Sequence, residues 1–168
     1  MARRAVTYFT NAERSKIYHA KKIRSSVNPL SVPKIKAKRS VREALIDRYI
    51  LQLDKSIYCP AIGDNVAIIR RGKKETIYRA GAKHKSTISA LTLKEAIENA
   101  TYIKNLPIKN SSRNQKLFKL MHLLICPIRG IGYAKLLIGE LKDIYVNIIG
   151  EQYAHYCITQ ISLKELKK

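Results

Sequence analysis

Two stretches near the start of the chain carry apolar residues at helical spacing. In 11–26 the apolar face is thin, and Asn11 can serve as the N-cap. In 40–54 the apolar face is broad, and Ser40 and Glu43 fit the capping-box pattern. The sequence therefore predicts two helices here, of which the second is strongly amphipathic.

The period of the apolar residues changes after Pro60. The segments 66–71 and 74–80 are rich in β-branched and aromatic residues, which favours strands. Gly72 and Lys73 lie between them, where a hairpin would turn. This pattern predicts a β-hairpin.

A glycine-led loop and a third helix are predicted next. The loop is 81–89, which carries several basic and hydroxyl residues. Thr92 and Glu95 fit a second capping box, and the apolar pattern behind them ends before Pro107. We expect a helix between the capping box and that proline.

The last third of the chain predicts a sheet. A polar loop over 108–115 is followed by apolar segments at 116–128, 132–141 and 153–163. The first has an ambiguous period, but Pro127 and the following Gly130 and Gly132 favour β-structure, and the other two have strand-like composition. The segment 143–149 fits either a strand or a long hairpin arm.

These elements predict an α+β fold, in which N-terminal helices are followed by a twisted antiparallel β-sheet packed on a helix. Helices segregated from an antiparallel sheet are typical of this class. Residues 25–40 contain two prolines and four serines, which is typical of a linker or an extended arm. We therefore divide the chain into a basic N-terminal helix and arm (1–39) and an α+β domain (40–168).

Charge is the property that most narrows the function. The chain of 168 residues has 33 Lys and Arg against 12 Asp and Glu, a formal net charge of +21. Twelve of the positive charges and one acid fall in residues 1–42. Self-repulsion on this scale opposes folding unless an anionic partner supplies counter-charge. Polyphosphate is the commonest such partner, so the composition favours nucleic-acid binding.

Several other classes of protein are disfavoured by the composition. Cys59, Cys126 and Cys157 are odd in number and widely spaced, so we expect buried free thiols in a reducing, cytoplasmic compartment. No run of about 18 apolar residues exists, so no membrane span is expected. The acids and the four histidines form no metal-ligand pattern, and we predict no metal and no cofactor.

The residues predicted to contact nucleic acid are lysines and arginines in the arm and around the predicted hairpin and loop. Short basic runs suit phosphate contacts, because each cation neutralises a backbone charge. An alternative interpretation of the arm is a solvated, partly disordered tail. The predicted contacts are Arg3, Arg4, Lys21, Lys22, Arg24, Lys34, Lys36, Lys38, Arg39, Arg70, Arg71, Lys73, Lys74 and Lys85.

Metal-independent RNA cleavage needs only residue types that the chain has. A base removes the 2′-OH proton, an acid protonates the leaving 5′-oxygen, and a cation stabilises the charged phosphorane. Strand alternation over 153–163 predicts that Tyr153, His155, Cys157 and Thr159 share one face. The predicted catalytic residues are Lys83, His84, His122, Tyr153, His155 and Thr159.

Simpler interpretations of the same residues remain open. A single histidine on a strand is more often structural than catalytic, and a Lys-His-Lys loop more often binds phosphate than cleaves it. The catalytic hypothesis also requires the loop, the middle strand and the last strand to converge in space. The sequence alone does not test that convergence.

The segment from Ile57 to Leu163 resembles a known family. The resemblance rests on AIGDNVAII before a strand, on the loop GAKHKS, and on a helix of the form LKEAIENATYI. It continues with a histidine-bearing strand KLFKLMHLLI, a strand YAKLLI and a closing strand YAHYCIT. These motifs resemble the barnase, EndoU, colicin and RelE-like (BECR) nuclease-fold group, in particular the versions found in phage and large polyvalent proteins.

The resemblance implies a metal-independent ribonuclease of the toxin or phage-effector type, with Lys83, His84, His122, Tyr153, His155 and Thr159 in its site. RNA is then the first-choice ligand. An alternative function is a non-catalytic RNA- or DNA-binding or phage-packaged protein on the same fold. An acidic inhibitor or immunity protein is a further candidate partner for so basic a chain.

Overall fold

The computed structural model describes residues 9–109, 115–161 and 166. In this part of the chain, six α-helices and six strands form one α+β unit, with two short 3-10 helices in the arm at 29–31 and 36–38. The helices are α1 (Asn11–Tyr18), α2 (Arg39–Leu51), α3 (Arg70–Ala80), α4 (His84–Ala90), α5 (Leu93–Asn99) and α6 (Asp143–Ile149). The strands are β1 (Ser56–Cys59), β2 (Asp64–Ala67), β3 (Thr101–Leu106), β4 (Phe118–Ile128), β5 (Gly132–Leu141) and β6 (Tyr153–Ile161).

The six strands form one sheet in the order β1-β2-β6-β5-β4-β3. Every neighbouring pair is antiparallel except β2 and β6, which are parallel. Strand β2 pairs with only the first two residues of β6. Helix α3 packs beside β6. Beyond Ala154, the side of β6 that faces away from β5 has no strand partner among the described residues. A helix in this position covers backbone groups that would otherwise be exposed there.

The largest part of the core lies between the sheet and helices α2, α4 and α5. Apolar residues at alternate positions of β4 and β5 meet the buried faces of these helices, since strand side chains alternate with period two. Two smaller clusters complete the interior, one beneath α1 and one beside α6. The largest cluster includes Ile46, Ile50, Ile88, Leu93, Ile97, Leu124, Cys126, Leu136, Ile138 and Ile158.

The predicted α+β class is confirmed. The predicted strands over 116–128, 132–141 and 153–163 are confirmed as β4, β5 and β6, with β4 beginning two residues later than predicted. Residues 162 and 163 of the last predicted strand lie outside the described residues. The sheet is mixed rather than wholly antiparallel, because β2 runs parallel to β6. This pairing joins segments far apart in the sequence, which local patterns do not specify.

The predicted hairpin over 66–80 is wrong, since β2 ends at Ala67 and α3 begins at Arg70. The three small residues Gly72, Thr76 and Ala80, spaced by four, are buried. A Cβ on Gly72 would lie 2.1 Å from the backbone oxygen of His155. Small residues at helical spacing let α3 approach β6 closely, and this signal was hidden by the aromatic and β-branched composition.

The predicted loop over 81–89 is also wrong, because α4 occupies most of it. Its hydroxyl residues are buried, and two of them bond to backbone carbonyls one turn earlier. The Thr87 hydroxyl bonds to the carbonyl of Lys83 at 2.8 Å, and that of Ser89 bonds to the carbonyl of Lys85 at 3.0 Å. Such back-bonding lets serine and threonine pack inside a helix that their loop-like composition conceals.

The helix ends also differ from prediction. Helix α1 is capped by Thr10, which forms a capping box with Glu13, and it ends at Tyr18 rather than near 26. The boxes predicted at Ser40 and Thr92 do not form, and the Thr92 hydroxyl instead donates to Ile88. Residues 143–149 form α6 and not a strand.

Residues of the predicted arm contact the sheet. Phe9, Ile17 and Val32 are buried. Ile23 forms a parallel bridge with Ile128, the last residue of β4. The arm thus contributes to the core, although the division at residue 39 stays a prediction.

Candidate functional site

A basic cleft lies at the end of the sheet where β4 turns into β5. Its volume is about 530 Å³, and it is open to solvent. Basic side chains from the arm, from the start of α4 and from the turn itself line it. The lining residues are Pro29, Leu30, Lys34, Lys83, His84, Lys85, Arg129, Gly130, Ile131 and Gln160.

The arm is held beside this turn by backbone hydrogen bonds. The N–H of Ile23 donates to the carbonyl of Pro127 at 2.9 Å, and that of Arg129 donates to the carbonyl of Ile23 at 2.8 Å. A second cleft, of about 560 Å³, lies on the same turn and is lined by Lys22 and Tyr133 among others. The two clefts share residues 129–131 and so form one basic surface.

Helix α4 is fixed against the end of β6. The backbone N–H of Gln160 donates to the Ser86 hydroxyl at 3.1 Å. The Gln160 side chain donates to the carbonyl of Ile131 at 2.7 Å. Lys83 and Lys85 are exposed, whereas Nδ1 of His84 is buried and has no hydrogen-bond partner among the described residues.

The cleft has no acidic residue among its described lining residues. Lys34, Lys83, Lys85 and Arg129 therefore place four positive charges around one concave surface. Low-dielectric walls focus such a field and attract anions. The arrangement suits a ligand with several phosphate groups better than a single small anion.

The other predicted arm cations have separate surroundings. Lys21 donates to the side chain of Asn99 at 3.0 Å. Arg39 pairs with Glu43 at 3.0 Å and lies over the ring of Tyr78. Arg24, Lys36 and Lys38 are exposed, as is Lys21, and Arg3 and Arg4 lie outside the described residues.

The predicted cations of α3 lie on a different surface. Arg70, Arg71 and Lys74 line a groove of about 730 Å³ next to α6. Lys73 pairs with Asp47 of α2 at 3.0 Å. None of these four residues lines the basic cleft.

A second polar cluster surrounds His122, at the opposite end of β6 from the cleft. The Tyr102 hydroxyl lies 2.7 Å from Nδ1 of His122. Nε2 of His122 lies 3.7 Å from the carboxylate of Glu140. The rings of His122 and Tyr153 are 5.8 Å apart, and Lys119 lies 3.6 Å from Glu140.

Burial and neighbouring charges shift pKa values in this group, which we call the histidine cluster. Its members are Tyr102, Lys119, His122, Glu140 and Tyr153. Burial lowers the pKa of His122, and the Glu140 carboxylate partly offsets this. Burial and then the neighbouring Glu140 charge raise the pKa of Tyr153, and Tyr102 is shifted in the same direction. At neutral pH the cluster therefore pairs a neutral imidazole with protonated phenols.

His155 lies outside both the cleft and the cluster. It is fully buried, and burial lowers its pKa to about 3. Its Nε2 lies 3.5 Å from the Thr76 hydroxyl of α3, and Nδ1 has no partner among the described residues. A neutral, inaccessible imidazole packs between sheet and helix and does not face a ligand in this conformation.

An irregularity in β6 changes the predicted shared face. His155 pairs with Ile138 and Cys157 pairs with Leu137, so Tyr156 is an extra residue in the ladder. One extra residue reverses the alternation beyond it. Tyr153 and His155 therefore lie on the opposite side of the sheet from Cys157 and Thr159.

The six predicted catalytic residues thus occupy several places. Lys83 and His84 are at the cleft, His122 and Tyr153 are in the histidine cluster, and His155 is sealed beneath α3. Thr159 pairs with Lys135 near the cleft end of β6. Tyr153 and Gln160 pair with Glu140 and Ala134, six positions apart on β5, so the two ends are separated by about 20 Å.

The sequence analysis missed several residues of these sites, among them Tyr102, Lys119, Glu140, Arg129 and Gln160. Tyr102 and Glu140 join His122 from neighbouring strands, and Arg129 lies at the turn between the two clefts. No motif marks them, because their proximity depends on strand register. The pairing of His122 with Ile138, two residues before Glu140, would have predicted the contact with Glu140.

Residues 9–109, 115–161 and 166 contain no group of three or more His, Cys, Asp or Glu that could hold a metal ion. None of their helices is both long enough and apolar enough to cross a membrane.

The fold and its surfaces define an α+β domain with a basic cleft and a separate histidine cluster. Residues 36–145 match the family described as large polyvalent protein-associated domain 3, so the chain belongs to that family. The match covers nearly two thirds of the chain and leaves out β6. It confirms the predicted link to large polyvalent proteins, while the BECR nuclease fold stays a prediction. No curated protein and no solved structure matches the chain significantly.

Proposed function

We propose that this protein binds nucleic acid, with RNA as the first-choice ligand, through the basic cleft. The observation that carries the proposal is the convergence of Lys34, Lys83, Lys85 and Arg129 around one cleft. These cations come from three separate segments of the chain. The net charge of +21 adds a long-range attraction for the same ligand.

The physical basis of the proposed binding is counterion release. Each phosphate that a lysine or arginine neutralises frees a condensed cation, which makes affinity depend on salt. RNA is preferred over DNA because of the resemblance to a ribonuclease group. The cleft supplies cations and one glutamine, which suits backbone contacts more than the reading of base sequence.

The test compares two triple variants that remove equal charge. The cleft variant is K34A/K83A/K85A, and the control is R48A/K55A/K142A, whose residues are exposed and line neither side of the turn. Fluorescence anisotropy with a single-stranded RNA of about 12 nucleotides reports affinity at several salt concentrations.

The cleft variant should lose about 30-fold in affinity, and its salt slope should fall by about 2, since each contact to a single strand contributes about 0.7. The control should lose less than about 3-fold. Equal losses in the two variants would mean that only total charge matters, and the cleft would not be the site.

A second candidate function is metal-independent RNA cleavage, and the histidine cluster is the observation that favours it. Its groups suit general acid–base chemistry, with Glu140 or His122 as the base and Lys119 beside the phosphate. The 2′-oxygen bonds to phosphorus as its proton moves to the base. The P–O5′ bond breaks, and the 5′-oxygen takes a proton from a protonated phenol of the cluster or from water. The products are a 2′,3′-cyclic phosphate and a 5′-hydroxyl.

Cleavage is tested with end-labelled RNA in EDTA, with 2′-O-methyl RNA as the uncleavable control. H122A and E140Q should each lose at least 100-fold in rate, as removal of a general acid or base typically does. H19A, at an exposed histidine outside the cluster, should cleave like the wild type. The sequence-based alternative predicts loss in H84A and H155A instead. Cleavage by none of these proteins would leave binding alone.

A further inference from the structure

Arg42 is a buried arginine whose contacts are not explained by core packing alone. It belongs to α2, and its side chain is only 1% exposed. Burying a charge is costly unless hydrogen bonds replace the lost water. All the hydrogen bonds found for this guanidinium go to backbone carbonyls.

Those carbonyls belong to two different segments. Nη1 donates to Pro33 at 3.1 Å and to Ile35 at 2.9 Å. Nε donates to Gly81 at 2.9 Å, and Nη2 donates to Ala82 at 3.3 Å. One rigid, planar group therefore joins the arm to the connection between α3 and α4.

The joined segments carry the cations of the cleft. Pro33 and Ile35 flank Lys34 on both sides, and Gly81 and Ala82 come directly before Lys83. Arg42 itself does not line the cleft. Its position therefore sets the distance between the arm cation and the α4 cations without any contact with a ligand.

We propose that Arg42 is a positioning residue for a phosphate-backbone ligand in the cleft. It couples docking of the arm to binding, because Lys34 adds to Lys83 and Lys85 only while the arm is held. This inference rests on the proposed nucleic-acid binding at the same cleft. Lysine cannot replace the guanidinium, since an ammonium does not reproduce the planar fork of donors.

The test uses R42K, with R48K on the exposed face of the same helix as the matched control. The ligand is a 2′-O-methyl RNA of about 12 nucleotides, so that cleavage cannot interfere. Circular dichroism at low temperature first establishes that R42K is folded. We expect about 10-fold weaker binding and a salt slope smaller by about 0.7, the loss of one phosphate contact. R48K should bind like the wild type.

A double-mutant cycle separates positioning from general stability. If Arg42 acts through Lys34, R42K should cost much less affinity in the K34A background than in the wild type. Additive losses, or a lower denaturation midpoint with unchanged affinity and slope, would overturn the positioning role. The wild type not binding RNA at all would instead refute the proposed function.

A measurement on the wild type covers the case in which R42K does not fold. Trypsin cuts after Lys34, Lys36 and Lys38 can be followed by mass spectrometry with and without the 2′-O-methyl RNA. Coupling between the arm and the cleft predicts at least 5-fold slower cutting of these bonds with RNA, as expected of a modest linkage. An unchanged rate with bound RNA would contradict the proposal.

Discussion

The two ends of β6 differ in whether acidic groups lie beside their basic groups. At the Gln160 end, four cations surround an open cleft whose described lining includes no acid. At the Tyr153 end, the Glu140 carboxylate lies near both His122 and Lys119. An unbalanced field suits holding a polyanion, whereas neighbouring acid and base groups suit proton transfer. The two ends are separated by about 20 Å along the sheet, so they form distinct sites.

The largest expected effect on stability comes from disrupting the packing of α3 against β6, the strand whose two ends carry the two sites. Gly72→Ala places a Cβ 2.1 Å from the His155 carbonyl, which forces α3 away from β6. We expect destabilisation by about 3 kcal/mol, measured by urea denaturation. Gly63→Ala is the control, since nothing lies within 4 Å of its Cβ. Its positive φ should cost only about 1 kcal/mol. Similar losses in both variants would contradict the close packing of α3.

Salt should act strongly on the cleft. Four phosphate contacts to single-stranded RNA give a slope near 2.8, so affinity should fall about 50-fold between 50 and 200 mM salt. Anisotropy titrations measure this. Cleavage of RNA at saturating protein should change far less, because proton transfer at the histidine cluster releases no counterions. Binding that is indifferent to salt would remove the basis of the comparison.

His155 should make stability depend on pH. Its pKa is lowered to about 3 in the folded protein, so the unfolded chain binds its proton more readily. Stability is therefore full above the unfolded pKa of about 6.5 and decreases as the pH falls towards 3. Between pH 6.5 and 5 the loss attributable to His155 should be about 2 kcal/mol.

The control for this pH effect is H155Q, because other groups titrate in the same range. The wild type minus the variant isolates the contribution of His155 in urea denaturation. A parallel pH dependence in both proteins would show that this imidazole is not sealed. It would then be a candidate for contact with a ligand, as the sequence alone predicted.

The smallest expected effect concerns the cluster at the Tyr153 end. Tyr102→Phe removes the hydroxyl 2.7 Å from Nδ1 of His122 and should destabilise the protein by about 1 kcal/mol. The pKa of His122, measured by NMR titration, should change, while RNA affinity at the cleft stays unchanged. Tyr58→Phe, at an exposed tyrosine, is the matched control and should change neither quantity. A change in affinity with Tyr102→Phe would mean that the two ends are not independent.

Short-range patterns predicted β4, β5 and β6 well, because strand-like composition and turn residues are properties of neighbouring positions. The apolar segments that became β4 and β5 are joined by a turn with Gly130 and Gly132, so strand-like composition and turn chemistry agree there. The segment 70–80 failed for the opposite reason. Its small residues favour a helix only when β6 lies beside them, and that contact is distant in the sequence.

In the candidate sites too, some groupings follow from neighbouring residues and others from contacts between distant segments. Lys83, His84 and Lys85 are adjacent in the chain, so their grouping needed no tertiary information. The extra residue at Tyr156 changed which side chains of β6 share a face, and no composition signal marks it. Helix α3 then sealed His155, which the sequence could not distinguish from an exposed histidine.

By itself the sequence determined the charge of the protein, its α+β class and the concentration of basic residues in positions 1–42. These follow from composition and from short-range periodicity, which are properties of neighbouring residues. Only the tertiary structure decided that Lys34 and Lys83 line one cleft and that Tyr102 and Glu140 join His122. Such contacts depend on strand register and on the hydrogen bonds of Arg42, which join segments far apart in the chain.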